Sequence, residues 1–107
     1  MQLIGSFQIP AQHPCLSGHF PEHPIVPGVV LLEQVEKLLK QHLPEWAILE
    51  VSQTKFLEVA LPDEEIEISF DTSKLMSHEN ITFQLIHPLS SKKVASGKLQ
   101  LSQMDFG

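Results

Sequence analysis

Five of the chain's eight prolines (Pro10, Pro14, Pro21, Pro24 and Pro27) fall within residues 10–27. Each proline fixes its own φ, removes a backbone donor and restricts the residue before it. At that density neither a helix nor a central strand can form, so the segment is expected to be a stiff loop. The same loop holds His13, His19 and His23, three of the six histidines. Pro27 and Gly28 suit a helix start and Pro44 denies Leu43 a helical continuation, so a helix is expected from about Gly28 to Leu43. At 100° per residue, Leu31, Leu32, Val35, Leu38, Leu39 and Leu43 share one arc, with Gln34, Lys37, Lys40 and Gln41 opposite. Val29 to Leu32 breaks that pattern, because it is apolar all round. This turn should therefore be buried on every side, and Glu33, next to Val29 and Val30, should sit in drier surroundings than its place on the polar arc suggests.

Beyond Pro44 the hydrophobic period becomes two. Glu65 to Phe70 alternates strictly, Asn80 to His87 puts Ile81, Phe83 and Leu85 on one side, and Lys93 to Leu101 follows with Gly97 as a candidate bulge. Leu3 to Ile9 suits a short first strand, and Ala47 to Val59 is strand-like with a less regular pattern. Turns are expected at Leu61–Asp63, Ser73–Glu79 and Pro88–Ser91. Short turns imply antiparallel neighbours, and the order strand, helix, four strands implies an α+β fold with one helix packed on a curled sheet. A length of 107 residues fits one domain, residues 1–107.

Composition narrows function. With 42% hydrophobic and 19% charged residues the chain is globular, and no apolar run approaches the roughly 18 residues of a membrane span. Met1 to Pro10 lacks the basic start of a secretory signal, so the expectation is a cytoplasmic protein with no membrane association. Cys15 is the one cysteine, which excludes an internal disulfide and a multi-cysteine zinc module. His13, His19 and His23 fit no standard zinc spacing, and no metal is expected. The formal charge is −6 and all seven basic residues are lysines. Without arginine, bidentate recognition of guanine or phosphate has no agent, and nucleic-acid binding is not expected.

The proline-rich loop and the helix start deliver chemistry to one place. His19 offers an imidazole base, while the backbone N–H groups of Gly28 and Val29 can receive an oxygen that gains negative charge. Glu33 follows just over one turn later. Such a set suits proton abstraction beside a thioester or ketone carbonyl. Each part also has an ordinary alternative: a surface histidine, a solvated glutamate and a simple helix start.

The run His19-Phe20-Pro21-x-x-Pro24-Ile25-Val26-Pro27-Gly28-Val29, with Glu33 fourteen residues after the histidine, closely resembles the signature of the hot-dog-fold 3-hydroxyacyl-[acyl-carrier-protein] dehydratases. A weaker echo is Lys55-Phe56 leading to Pro62-Asp63. The resemblance implies a hot-dog fold, one long helix wrapped by an antiparallel sheet of five to six strands. It also implies dehydration of 3-hydroxyacyl thioesters to trans-2-enoyl thioesters, on acyl carrier protein or coenzyme A, in fatty-acid or related lipid or polyene synthesis. His19 would act at the C2 proton and Glu33 at the departing C3 hydroxyl, with the Gly28 N–H, supported by Val29, polarising the carbonyl. The implied assembly is a homodimer or higher homo-oligomer, or a heterodimer, whose sites combine both subunits. No cofactor is implied, since loss of water changes no oxidation state. Docking of an acidic carrier protein would fall to lysines such as Lys92, Lys93 and Lys98. Glu22 stands where the family has glycine, and a carboxylate there raises the pKa of His19. Two other functions stay open: an acyl thioesterase, and a non-catalytic acyl-binding or heterodimer partner.

Overall fold

Pro44 ends the long helix where expected. In the computed structural model, which describes residues 1–12 and 25–104, α1 runs Gly28–His42, and the Leu43 N–H closes its last turn on the Leu39 carbonyl at 2.7 Å. Before it comes β1 (Gln2–Phe7); after it come β2 (Trp46–Phe56), β3 (Ile66–Asp71), the one-turn helix α2 (Leu75–His78), β4 (Asn80–Ile86) and β5 (Lys93–Gln103). The five strands form one antiparallel sheet in the order β1-β3-β4-β5-β2. β3, β4 and β5 are a meander, β1 returns beside β3, and β2 lies beside β5 at the other edge. α1 contacts both edge strands, β1 and β2, so the sheet curls around it.

Alternation builds the core. Ile66, Ile68 and Phe70 of β3, with Ile81, Phe83 and Leu85 of β4, face inward and are fully buried against Val30, Val35 and Leu39 of α1. Burying a side chain of this kind stabilises by about 1.5–3 kcal/mol before the entropy of ordering is subtracted.

Two expectations change, and a third gains its cause. Ser73–Glu79 is more than a turn, because it contains α2, which ends on Glu79 with φ 54°. Gly97 is not a bulge in its own strand. It pairs in register with Phe83, and a Cβ there would lie 2.5 Å from Phe83 Cε1, so the glycine serves close approach of a buried ring. The irregular pattern of β2 has a cause the sequence conceals: two bulges. Against β5 the register slips between Ile48 and Glu50 and again between Ser52 and Lys55, where Gln53 has φ 52°. Each extra residue reverses which face the following side chains occupy. Trp46, Ile48, Val51 and Phe56, opposite Gln103, Leu101, Leu99 and Ala95, thereby share the helix side without a period of two.

Candidate functional site

The start of α1 is held from two sides. The Val26 N–H donates to the Ala60 carbonyl at 2.8 Å, fixing residues 25–27 beside the segment that follows β2. The Pro27 carbonyl accepts the N–H groups of Val30 and Leu31, at 3.0 and 3.3 Å. Pro27 has no side-chain cap to offer, so among the described residues the amides of Gly28 and Val29 stand at the positive end of the helix without one. Gly28 is required there by contact, because a Cβ would meet Phe56 Cζ at 2.7 Å. Gly28, Leu31, Ile25 and Phe56 to Ala60 line a largely apolar cleft of about 430 Å³ at this end of the helix.

Glu33 occupies a second cleft of about 290 Å³, between α1 and β2, with Val29, Leu32, Glu36, Ile48 and Val51. Apolar side chains therefore neighbour the carboxylate as expected. The surroundings are not dry in the single chain, however, because the cleft is open and Glu33 is exposed. The first helical turn divides likewise. Val30 and Leu31 are buried, Leu32 is half-buried, and Val29 is 62% exposed, so burial on every side is not achieved within one chain. The reason is geometric: the sheet curls around only one side of the helix. The structure thus brings Val29 and Glu33 to one cleft and Gly28 to another. His13, Cys15, His19, Glu22 and His23 lie outside the described residues.

Phe56 and the residues after it were not anticipated as lining the helix start. The signal was the run of large apolar residues Phe56, Leu57, Val59 and Leu61, all of which remain exposed. Asp63, in the turn expected at Leu61–Asp63, adopts φ 67° and donates its N–H to the Ile9 carbonyl at 2.8 Å. Aspartate is among the residues that tolerate this left-handed conformation. Among the described residues no group of three or more His, Cys, Asp or Glu is placed to hold a metal. No helix among them is long and apolar enough to cross a membrane.

One long helix, covered on one side by a curled five-stranded antiparallel sheet and flanked by apolar clefts, defines a hot-dog protein. The family model of the ApeI dehydratases, ApeI-like, matches residues 1–98, and the chain belongs to this family. It is 29% identical over 80 residues to the 3-hydroxyacyl-[acyl-carrier-protein] dehydratase FabZ of Pelotomaculum thermopropionicum, covering 67% of this chain and 57% of that relative's length. Among solved structures it superposes on a chain of the dehydratase heterocomplex ApeI:P from Xenorhabdus doucetiae. That match has a TM-score of 0.76 and 21% identity, over 92% of this chain and 84% of the other. YbaW, a probable thioesterase from Escherichia coli, matches with a TM-score of 0.71 and 11% identity, over 94% and 81% of the two chains. The structural matches establish the hot-dog fold; the family match makes the chain dehydratase-like.

Proposed function

We propose that the chain removes water from 3-hydroxyacyl thioesters, carried on acyl carrier protein or coenzyme A, to give trans-2-enoyl thioesters. His19 takes the proton from C2, and the electron pair moves into the thioester, whose oxygen is stabilised by the Gly28 and Val29 amides. Glu33, in its acid form, protonates the C3 hydroxyl, which leaves as water as the C2–C3 double bond forms. The observation that carries this proposal is the position of Glu33. In a chain of this family it stands one turn beyond the uncapped helix start, in an apolar cleft.

A site shared between two subunits fits the clefts. Gly28 and Glu33 line two separate clefts along α1 in the single chain. Val29, Leu49 and Val51, at 62%, 67% and 41% exposure, leave an apolar surface beside Glu33 that a second subunit would cover. That cover would also shut water out of the cleft that holds Glu33.

The Xenorhabdus doucetiae neighbour comes from a heterocomplex, which favours one second function: a partner subunit that binds acyl chains without turning them over. Incubation with crotonyl and long-chain enoyl thioesters decides between them. A dehydratase hydrates the double bond, and the conjugated absorbance falls with no free thiol released. Free thiol would instead identify a thioesterase. No change in either signal would favour the non-catalytic partner.

A further inference from the structure

The second β2 bulge has a consequence on the opposite face of the sheet. Leu99 faces α1, so its neighbour Lys98 points to the outer face. Register places Asp71, Thr82, Lys98 and Ser52 in one row across β3, β4, β5 and β2. The adjacent outer row carries Gln84, Ser96 and Lys55. Without the extra residue in β2, Lys55, three positions after Ser52, would face α1; with it, Lys55 joins Ser96 and Lys98 outside. Lys74, just before α2, closes the end of the same groove, whose volume is about 390 Å³.

Charge and chemistry point the same way. In a chain of net charge −6, three of the seven lysines converge on this groove with a single carboxylate, Asp71. The Ser73 N–H donates to Asp71 Oδ1 at 3.0 Å and holds its carboxyl below the usual carboxylate range. Ion pairs among the described residues join Lys40 to Glu36 and His87 to Glu64, and neither involves the three groove lysines. Three ammonium groups against one carboxylate leave a local charge of about +2 at neutral pH, the complement of a phosphate monoester dianion. Lysine binds phosphate as a point charge, and the Thr82 and Ser96 hydroxyls supply neutral donors. The bulge residue Gln53 lines the groove in the left-handed region, a conformation that non-glycine residues rarely adopt. Backbone strain of this sort concentrates at binding sites.

We propose that this outer groove binds a small organic phosphate monoester, independently of the thioester site on the helix side. Its volume falls within the roughly 300–1,000 Å³ of small-molecule pockets, well beyond what an inorganic phosphate fills. Concavity favours a small ligand over a flat acidic protein surface.

The test is an amide-resolved NMR titration of the full chain with AMP, adenosine and inorganic phosphate, each in low salt. AMP should shift the Ser73, Thr82, Ser96 and Lys98 amides saturably and more tightly than phosphate does, and adenosine should shift none of them. Lys55→Gln and Lys98→Gln should each weaken AMP on the order of fivefold to tenfold, and Lys37→Gln, on α1, should not. Near-ultraviolet circular dichroism checks that both groove variants keep the fold, and Lys74→Gln stands in for either one that does not. Absence of saturable shifts with AMP would overturn the proposal, as would equal affinity for AMP and phosphate, or variants that bind like the parent chain. Shifts produced by an acidic carrier protein and not by AMP would overturn it in favour of protein docking. Enoyl hydration is not a readout here, so failure of this site and failure of the dehydratase assignment are separable.

Discussion

Thr54 Oγ1 is buried in the second bulge of β2 without a hydrogen-bond partner among the described residues. Leaving a hydroxyl unsatisfied costs about 1–3 kcal/mol, and valine offers the same shape without the polar atom. Thr54→Val should therefore raise stability by about 1 kcal/mol, seen as a melting temperature several degrees higher at fixed protein concentration. A lower melting temperature would mean that the hydroxyl has a partner in solution. Opposite the bulge, Gly97→Ala drives a Cβ to within 2.5 Å of Phe83 Cε1 and 3.0 Å of Thr54 Oγ1. Phe83 is fully buried and cannot swing away, so a loss of about 1–3 kcal/mol by denaturant titration is expected. At Glu22 the expectation concerns pH. Glu22 stands three residues after His19 in the sequence. If its carboxylate pairs with the imidazole, removing it lowers the imidazole pKa and leaves more neutral base in mild acid, so Glu22→Gly should move the acidic limb of the hydration profile to lower pH. An unmoved limb would mean that Glu22 does not act on the base.

α1 was legible almost to the residue, because Pro27, Gly28 and Pro44 bracket it and its leucines repeat at the helical period. β3, β4 and β5 were legible because their alternation is strict over most of their length. β2 was not, since two bulges twice exchange its faces and no single period describes it. The α2 turn was missed for another reason: four residues are too few to show a helical period. Within the site, the uncapped amides of Gly28 and Val29 could be read from Pro-Gly at a helix start. The packing of Phe56 over Gly28 could not, because it depends on the second bulge. At this scale the exposed first turn of α1 makes its own prediction. If a second subunit covers Val29 and Val51, then Val29→Lys should give a light-scattering mass of one chain at micromolar concentration, where the parent chain gives two. A parent chain that is itself single at that concentration would remove both the interface and the shared site.

For the molecule as a whole, the curled sheet accounts for what one chain can and cannot do. It buries one side of α1 completely and leaves Val29, Glu33 and the β2 edge open, and the proposed thioester site would be finished by a second subunit. The dense motif from His19 to Glu33 carried the family and the proposed chemistry, but one sequence cannot say which subunit supplies each group. Complementation can. His19→Ala and Glu33→Gln, prepared separately, should each lose nearly all enoyl-thioester hydration while keeping the fold. Equal amounts unfolded together and refolded give half heterodimers, each with one doubly altered site and one intact site. Recovered activity should then be about a quarter of the parent's, for isologous pairing with independent sites. Two inactive variants that recover nothing, with heterodimers demonstrated by native mass spectrometry, would contradict the shared site, and a fully active Glu33→Gln would contradict its acid.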